Sequence, residues 1–193
     1  KKIGKVDLLV IGNNCKSVVS TASKIEGIEN IYVNENECYK NFLSENCSEF
    51  LMKFSTNYSH ILFTNNAVGK NIAPRLAGLL DSMIIPDIIE VLNDNTFKRP
   101  IYAGNAIATC KSLDKIKVLT VRSTAFEESA ISEKPSEIKI INETFINNNT
   151  KFLKADIAKS ERPDLTSAEI VVSGGRGVGS SENFKILEKL ADK

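Results

Sequence analysis

Three times before Asp81 the chain sets a short apolar run ahead of a segment whose apolar residues recur at helical spacing. Val6-Asp7-Leu8-Leu9-Val10-Ile11 is nearly continuous in apolar residues and stops at Gly12, as expected of a strand covered on both faces. From Ser17 to Ile25, the residues Val18, Ala22 and Ile25 share one helical face, and Gly27 ends it. Ile31-Tyr32-Val33 is a second strand, and a helix carrying Phe50, Leu51 and Phe54 is expected between Phe42 and Phe54. His60-Ile61-Leu62-Phe63-Thr64 is a third strand, closed by Asn65 and Asn66, with Ile72, Leu76, Leu79 and Leu80 recurring behind it. Pro74 has no N–H to donate, which restricts it to the first turn of that helix. Such alternation predicts an α/β fold with an open, mostly parallel sheet and covering helices, Rossmann-like and three-layered.

The pattern changes after Asp81. Met83 to Leu92 is rich in isoleucine, Asn93-Asp94-Asn95 makes a turn, and Phe97 to Cys110 and Lys117 to Arg122 follow as extended runs. These predict a β-rich, antiparallel extension at the sheet edge. Phe126 to Ser136 reads as a loop, and Ile138 to Ile141 and Phe152 to Ala158 as further strands. The expected organisation is an amino-terminal α/β domain over 1–160, a linker over 161–168 and the start of a second α/β domain over 169–193. The linker is polar and carries Pro163. Beyond it, Ala168 to Val172 reads as a buried strand, and Ser180 or Ser181 as the cap of a helix with Glu182 in its first turn. Phe184, Leu187 and Leu190 lie on one side of that helix. One strand and one helix cannot bury a core, so the second domain is expected to be incomplete.

Several function classes are disfavoured by composition. The 25 basic and 24 acidic residues are interspersed, leaving a net charge of +1 and no clustered basic face for nucleic acid. Nothing approaches the ~18–20 consecutive apolar residues of a membrane helix. Cys15, Cys38, Cys47 and Cys110 show no metal-ligand spacing, and the single histidine, His60, completes neither a zinc site nor a catalytic triad. No catalytic residue and no metal site is therefore assigned. Scattered cysteines suit a reducing compartment, where they serve as small hydrophobes. No signal or transit peptide is visible, and the start at Lys1 rather than a methionine fits a leader either removed or left out.

The strongest chemical signal is Ser173-Gly174-Gly175-Arg176-Gly177-Val178-Gly179, placed between the expected strand and helix. Glycines let backbone N–H groups approach a ligand closely, and a following helix offers orphan N–H groups to an anion. Arg176 adds a cation of fork geometry suited to phosphate or an anionic ring. Two familiar loops nearly fit. Gly174, Gly179 and Ser181 have P-loop spacing, but Ser180 replaces the lysine. Gly175 and Gly177 fit a dinucleotide fingerprint, but Ser180 replaces its third glycine. The bland alternative is a tight turn with Arg176 exposed or salt-bridged. In the first domain, Gly12-Asn13-Asn14 is too poor in glycine for a phosphate loop, and Gly69-Lys70-Asn71 is a weak anion candidate. His60 reads as a surface or satisfied histidine, and Arg75, Arg99 and Arg122 as candidate interface ion pairs.

The run Val171 to Gly177, followed by Ser180, Glu182, Asn183 and Phe184, resembles the opening of the FAD domain in electron-transfer flavoprotein α subunits. Arg162-Pro163-Asp164-Leu165-Thr166, Gly69-Lys70-Asn71 with Pro74-Arg75, Asp87-Ile88-Ile89, Ile101 to Ala106 and Val118 to Thr124 continue the resemblance in order. It spans about residue 60 to the end, while the earlier part agrees only in its strand-helix rhythm. The resemblance implies a heterodimer with a β subunit that carries FAD. It would take electrons from acyl-CoA and related dehydrogenases and pass them to a membrane quinone oxidoreductase, as in fatty acid β-oxidation. Its place would be the mitochondrial matrix, or the cytoplasm of a bacterium, without a membrane-embedded segment. Such a protein is a carrier more than an enzyme, because the flavin does the redox work. Arg176 carries over as an FAD contact, with Gly174, Gly175 and Gly177 as backbone neighbours. Gly179 and Ser181 depart from the usual lysine and glycine on either side of Ser180. Most FAD contacts are expected beyond Lys193, so the piece alone should bind FAD weakly or not at all. The alternative is an adenine-nucleotide-binding enzyme of the nucleotide-hydrolase-like α/β class, built on the first domain.

Overall fold

The structure, a computed structural model, describes residues 3–156, 163, 165, 168 and 170–192. The chain divides into two compact units, Lys1–Phe152 and Leu153–Lys193. In the first unit the strands are β1 (Val6–Gly12), β2 (Ile28–Glu35), β3 (His60–Thr64), β4 (Ile84–Ile88), β5 (Glu90–Val91), β6 (Thr96–Ile101), β7 (Ala106–Lys111), β8 (Lys117–Val121) and β9 (Glu137–Ile140). The helices are α1 (Lys16–Ala22), α2 (Ser44–Phe54) and α3 (Ala67–Leu79).

Two three-stranded parallel sheets, in the orders β1-β2-β9 and β3-β8-β4, carry the fold, and an antiparallel sheet β5-β6-β7 is added. On one face of the first sheet, Val10, Ile31 and Val33 pack against Cys15, Val19 and Ala22 of the α1 segment. On the other, Leu9 and Ile11 meet α2 and α3 through Phe50, Leu51, Ile72 and Leu76, and the same cluster takes in Ile61 and Phe63 of β3. Ala73 and Ala77 of α3 cover Val118 of β8. The opposite face of β8 buries Leu119 with Ile85, Ile88 and Phe97, so the hairpin rather than a helix supplies that layer. Sheet, helix and hairpin layers thus realise the open three-layer α/β architecture.

Several local expectations are corrected. Val18 is 57% exposed and Val19, 8% exposed, faces the core. The helix stops at Ala22, so its face is read from Cys15, Val19 and Ala22 at i, i+4 and i+7. Pro74 stands well inside α3, because the helix begins at Ala67 under an Asn66 cap whose side chain accepts from the Gly69 N–H at 2.9 Å. The proline deprives the Lys70 carbonyl of its helical donor, but Lys70 and Pro74 are both exposed, where water can replace it. Lys117 to Arg122 is not part of the antiparallel extension. It forms β8, the middle strand of the parallel sheet, with Val118, Leu119 and Thr120 all 0% exposed. Ile84 to Ile88 likewise joins that sheet, and Phe97 to Cys110 is a hairpin rather than one run. Residues 152–156 hold no strand, while 157 and 158 lie outside the described residues.

In the second unit, two short 3₁₀ turns, Arg176–Val178 and Ser181–Asn183, lead into α4 (Phe184–Ala191). Positions 168 and 170–172 form no strand, and Ile170 is 84% exposed. A parallel strand forms only against a hydrogen-bonding neighbour, and among the described residues of this unit there is none. Ser180 and Ser181 do not cap a helix: Ser180 precedes a 3₁₀ turn and makes no side-chain capping bond. Most of the expected linker, Glu161, Arg162, Asp164, Thr166 and Ser167, lies outside the described residues.

Candidate functional site

The carboxyl ends of parallel strands are where α/β folds place ligands. In the first unit that edge carries a polar cluster. Asp87 sits where β4 breaks register between Ile85 and Ile88, with φ of 61°. Its backbone N–H donates to Thr120 Oγ1 at 2.8 Å, and Thr120 Oγ1 donates to Asn65 Oδ1 at 2.8 Å. Asp87 Oδ1 accepts from Asn65 Nδ2 at 2.6 Å and from Arg122 Nε at 2.9 Å, and Arg122 Nη2 pairs with Asp87 Oδ2. The hydrogen bond to Asp87 pushes the Arg122 guanidinium above its ordinary pKa. An adjoining cleft of ≈ 480 Å³ is lined by Thr64, Asn65, Asn66, Val121, Arg122, Ser123 and Thr124. Arg122 is thus paired within the subunit rather than across an interface. Its charge is spent on Asp87, so the cleft offers no free cation to an anion. The cluster pins β3, β4 and β8 together at their ends.

The other first-unit candidates are also engaged in structure. The Gly69 N–H is taken by the Asn66 side chain, and Gly69 is pressed against β3 so closely that a Cβ would lie 2.0 Å from the Thr64 carbonyl oxygen. At Gly12 a Cβ would lie 3.4 Å from Cys15 Sγ and 3.7 Å from Phe42 Cζ, so the Phe42 ring stands over this turn. That geometry does not favour a phosphate cradle after β1. His60 has both ring nitrogens engaged, Nδ1 with Ser59 Oγ at 2.8 Å and Nε2 with the Asp94 carbonyl at 2.6 Å. Burial raises the Cys47 thiol to about 12, which keeps it protonated and unreactive.

The glycine-rich loop of the second unit is different. Val178 N–H donates to the Gly175 carbonyl at 3.0 Å and Gly179 N–H to the Arg176 carbonyl at 3.1 Å, closing a 3₁₀ turn with Arg176 at its start. Gly179 reverses the chain at φ of +84°, a conformation that favours glycine. A Cβ on Gly174 would meet Leu187 Cδ1 at 2.4 Å and Val178 Cγ2 at 2.7 Å. A side chain at Gly174 would therefore have to displace the ends of Leu187 and Val178. Apart from their chain neighbours, nothing lies within 4 Å of the position a Cβ would take at Gly175 or Gly177. Arg176 is exposed, and among the described residues its side chain has no hydrogen bond or ion pair. The loop thus combines open backbone with an uncommitted cation, which the Asp87–Arg122 cluster lacks. The orphan N–H groups of α4 do not adjoin it directly, because the turn Ser181–Asn183 intervenes.

Asn183 Nδ2 donates to the Val178 carbonyl at 2.8 Å, a contact the sequence reading missed. Asp87 was also missed as a polar centre. The signal was a charged residue following Pro86 inside the run Ile84-Ile85-Pro86-Asp87-Ile88-Ile89.

Residues 1–145 match a family model described as the electron transfer flavoprotein domain, and residues 164–193 match the electron transfer flavoprotein FAD-binding domain. Over 190 residues the chain is 44% identical to an electron transfer flavoprotein subunit alpha of Pseudomonas aeruginosa, covering 98% of this chain and 62% of that protein. A mitochondrial electron transfer flavoprotein subunit alpha of Dictyostelium discoideum is 39% identical over 205 residues, covering 98% of this chain and 58% of its own length. The subunit alpha of Paracoccus denitrificans is 39% identical over 196 residues, covering 100% of this chain and 62% of that protein. The chain spans about three fifths of the length of these curated relatives.

Proposed function

Because the chain belongs to the electron transfer flavoprotein family, as a segment of an α subunit, we propose that it holds one side of an FAD in an electron-carrying heterodimer. The partner is the β subunit. The dimer takes electrons from acyl-CoA and related dehydrogenases and passes them to a membrane quinone oxidoreductase, in the mitochondrial matrix or the bacterial cytoplasm. It serves as a carrier with no substrate of its own to transform. The names of the relatives support this reading, and so does the match of residues 164–193, which include the glycine-rich loop, to the electron transfer flavoprotein FAD-binding domain.

The observation that carries the proposal is the uncommitted guanidinium of Arg176 beside open backbone at Gly175 and Gly177. These residues fit a large anionic cofactor. The guanidinium faces an anion without first breaking an ion pair, and beyond the chain neighbours nothing lies within 4 Å of the Cβ positions of the two glycines. Bound FAD would supply the redox chemistry. The protein's part is to hold it, through Arg176 opposite negative charge and through the backbone of Gly175 and Gly177, with Gly174 setting the packing against Leu187. Most of the site lies in residues that this chain does not include, so the whole carrier is the object to test.

In the full-length heterodimer, Arg176→Ala is expected to weaken FAD binding by roughly 10- to 100-fold, the loss of one or two charge-assisted hydrogen bonds. Arg176→Lys should fall between, because an ammonium keeps the charge but not the fork. Titration of the flavin-free complex with FAD measures both. Equal affinity in all three proteins would remove Arg176 from the site.

A further inference from the structure

Asn183 stands at the position that precedes α4, where a side chain ordinarily caps the helix. It does not do so: the structure gives Asn183 no side-chain capping bond. Its amide Nδ2 instead reaches back five residues to the Val178 carbonyl at 2.8 Å. Val178 is the last residue of the turn that begins at Arg176, and its own N–H already closes that turn on the Gly175 carbonyl at 3.0 Å. After Val178 the chain passes Gly179 at φ of +84°, a residue with many accessible conformations when free. The turn carrying Arg176 is closed on itself by the Val178 N–H and by the Gly179 N–H, which donates to the Arg176 carbonyl at 3.1 Å, and the Asn183 bond is the polar tie that joins it to the start of α4 across Gly179. The second fastening is apolar, where Leu187 Cδ1 and Val178 Cγ2 close over Gly174.

We propose that Asn183 is a positioning residue for the anionic cofactor, acting through Arg176 by locking the Arg176–Val178 turn to the start of α4. This deepens the reading of the loop as an FAD contact and rests on it. A guanidinium on a fixed turn meets the anion without first losing the freedom of a swinging loop, and that saving appears as affinity. Asn183 is exposed and spends nothing on the helix cap, so its truncation leaves the fold standing.

The test is a double-mutant cycle on the full-length heterodimer, titrating the flavin-free complex with FAD. Asn183→Ala is expected to raise the FAD dissociation constant about fivefold, the worth of one hydrogen bond. The thermal midpoint of the flavin-free complex should stay within about 1 °C. Asn183→Asp, which keeps the shape but cannot donate, should not restore affinity. On an Arg176→Ala background, Asn183→Ala should cost little more, because its effect passes through the missing guanidinium. Three results would overturn the proposal: wild-type affinity in Asn183→Ala, a full additional fivefold loss in the double variant, or an equal drop in the flavin-free midpoint. Failure of the underlying reading looks different, since then Arg176→Ala itself would bind FAD like the wild type.

Discussion

Gly69→Ala should destabilise the first unit by about 3 kcal/mol or more, lowering its thermal midpoint by about 10 °C. The added Cβ would lie 2.0 Å from the Thr64 carbonyl oxygen and 3.2 Å from Phe63 Cβ. Neither the carbonyl nor the strand can move aside cheaply. Thr64 ends β3, whose Phe63 is packed among Ala73, Ala77 and Val118, and the neighbouring Asn65 N–H donates to the Val121 carbonyl at 2.9 Å. Relief requires α3 to lift from the sheet, which opens the cluster around Ile72 and Leu76. Gly78, on the same helix, supplies the control. No atom stands within 4 Å of its Cβ position, so Gly78→Ala should be neutral or stabilise by about 0.5–1 kcal/mol through helix propensity. Thermal melts of both variants measure the contrast, and equal midpoints would show that α3 does not approach β3 as described.

Phe97→Ala should cost about 3–5 kcal/mol, the usual range for emptying a buried phenylalanine site. Phe97 is 0% exposed and is the residue by which β6 enters the cluster of Ile85, Ile88 and Leu119. Across the hairpin it pairs with Cys110, and the His60 ring meets it edge-on with centroids 6.4 Å apart. The cavity would lie between the hairpin and the parallel sheet, so amides of β6 and β7 should lose exchange protection before those of β1 and β2. Leu113→Ala provides the comparison: at 89% exposed it should change stability by less than about 0.5 kcal/mol. Urea unfolding midpoints decide this, and a loss below about 1 kcal/mol at Phe97 would contradict a hairpin packed as a core layer.

Continuous apolar runs were the most readable part of the sequence. β1 and β3 end within a residue of their expected limits. β1 is covered through Val10 on one face and Leu9 and Ile11 on the other, whereas Leu62 of β3 is 53% exposed, so there the apolar run marks a strand without two covered faces. β8 has the same signature, in Lys117-Val118-Leu119-Thr120-Val121, yet it was expected in the antiparallel extension. Its neighbours β3 and β4 lie far back in the chain, and the β5-β6-β7 excursion separates it from them. Local pattern identifies a buried strand but not its partners. The face of α1 was misread because Val18 and Val19 are adjacent valines, and the helix phase is set by Cys15, outside the segment considered. Pro74 was judged by its own missing N–H, whereas the helix start is fixed upstream by the Asn66 side chain.

The glycine-rich loop was readable because glycine and arginine state their chemistry in their side chains, or lack of them. The roles within it were not. Gly174 and Gly175 look alike in sequence, but one is closed by Leu187 and the other is open. Likewise Asp87 and Arg122 stand 35 positions apart, and only folding brings the carboxylate to the guanidinium. Asn183 would be read as an ordinary helix cap until its partner is seen to be Val178.

The central claim is that this chain contributes to an FAD site in an α/β carrier. The most direct measurement is the visible absorption spectrum and flavin-to-protein ratio of the full-length chain purified with its β subunit. The account predicts the bands of an oxidised flavin that stay with the protein through gel filtration, with about one FAD per heterodimer as the resemblance implies. A heterodimer that assembles but stays colourless, even after refolding in the presence of FAD, would contradict it.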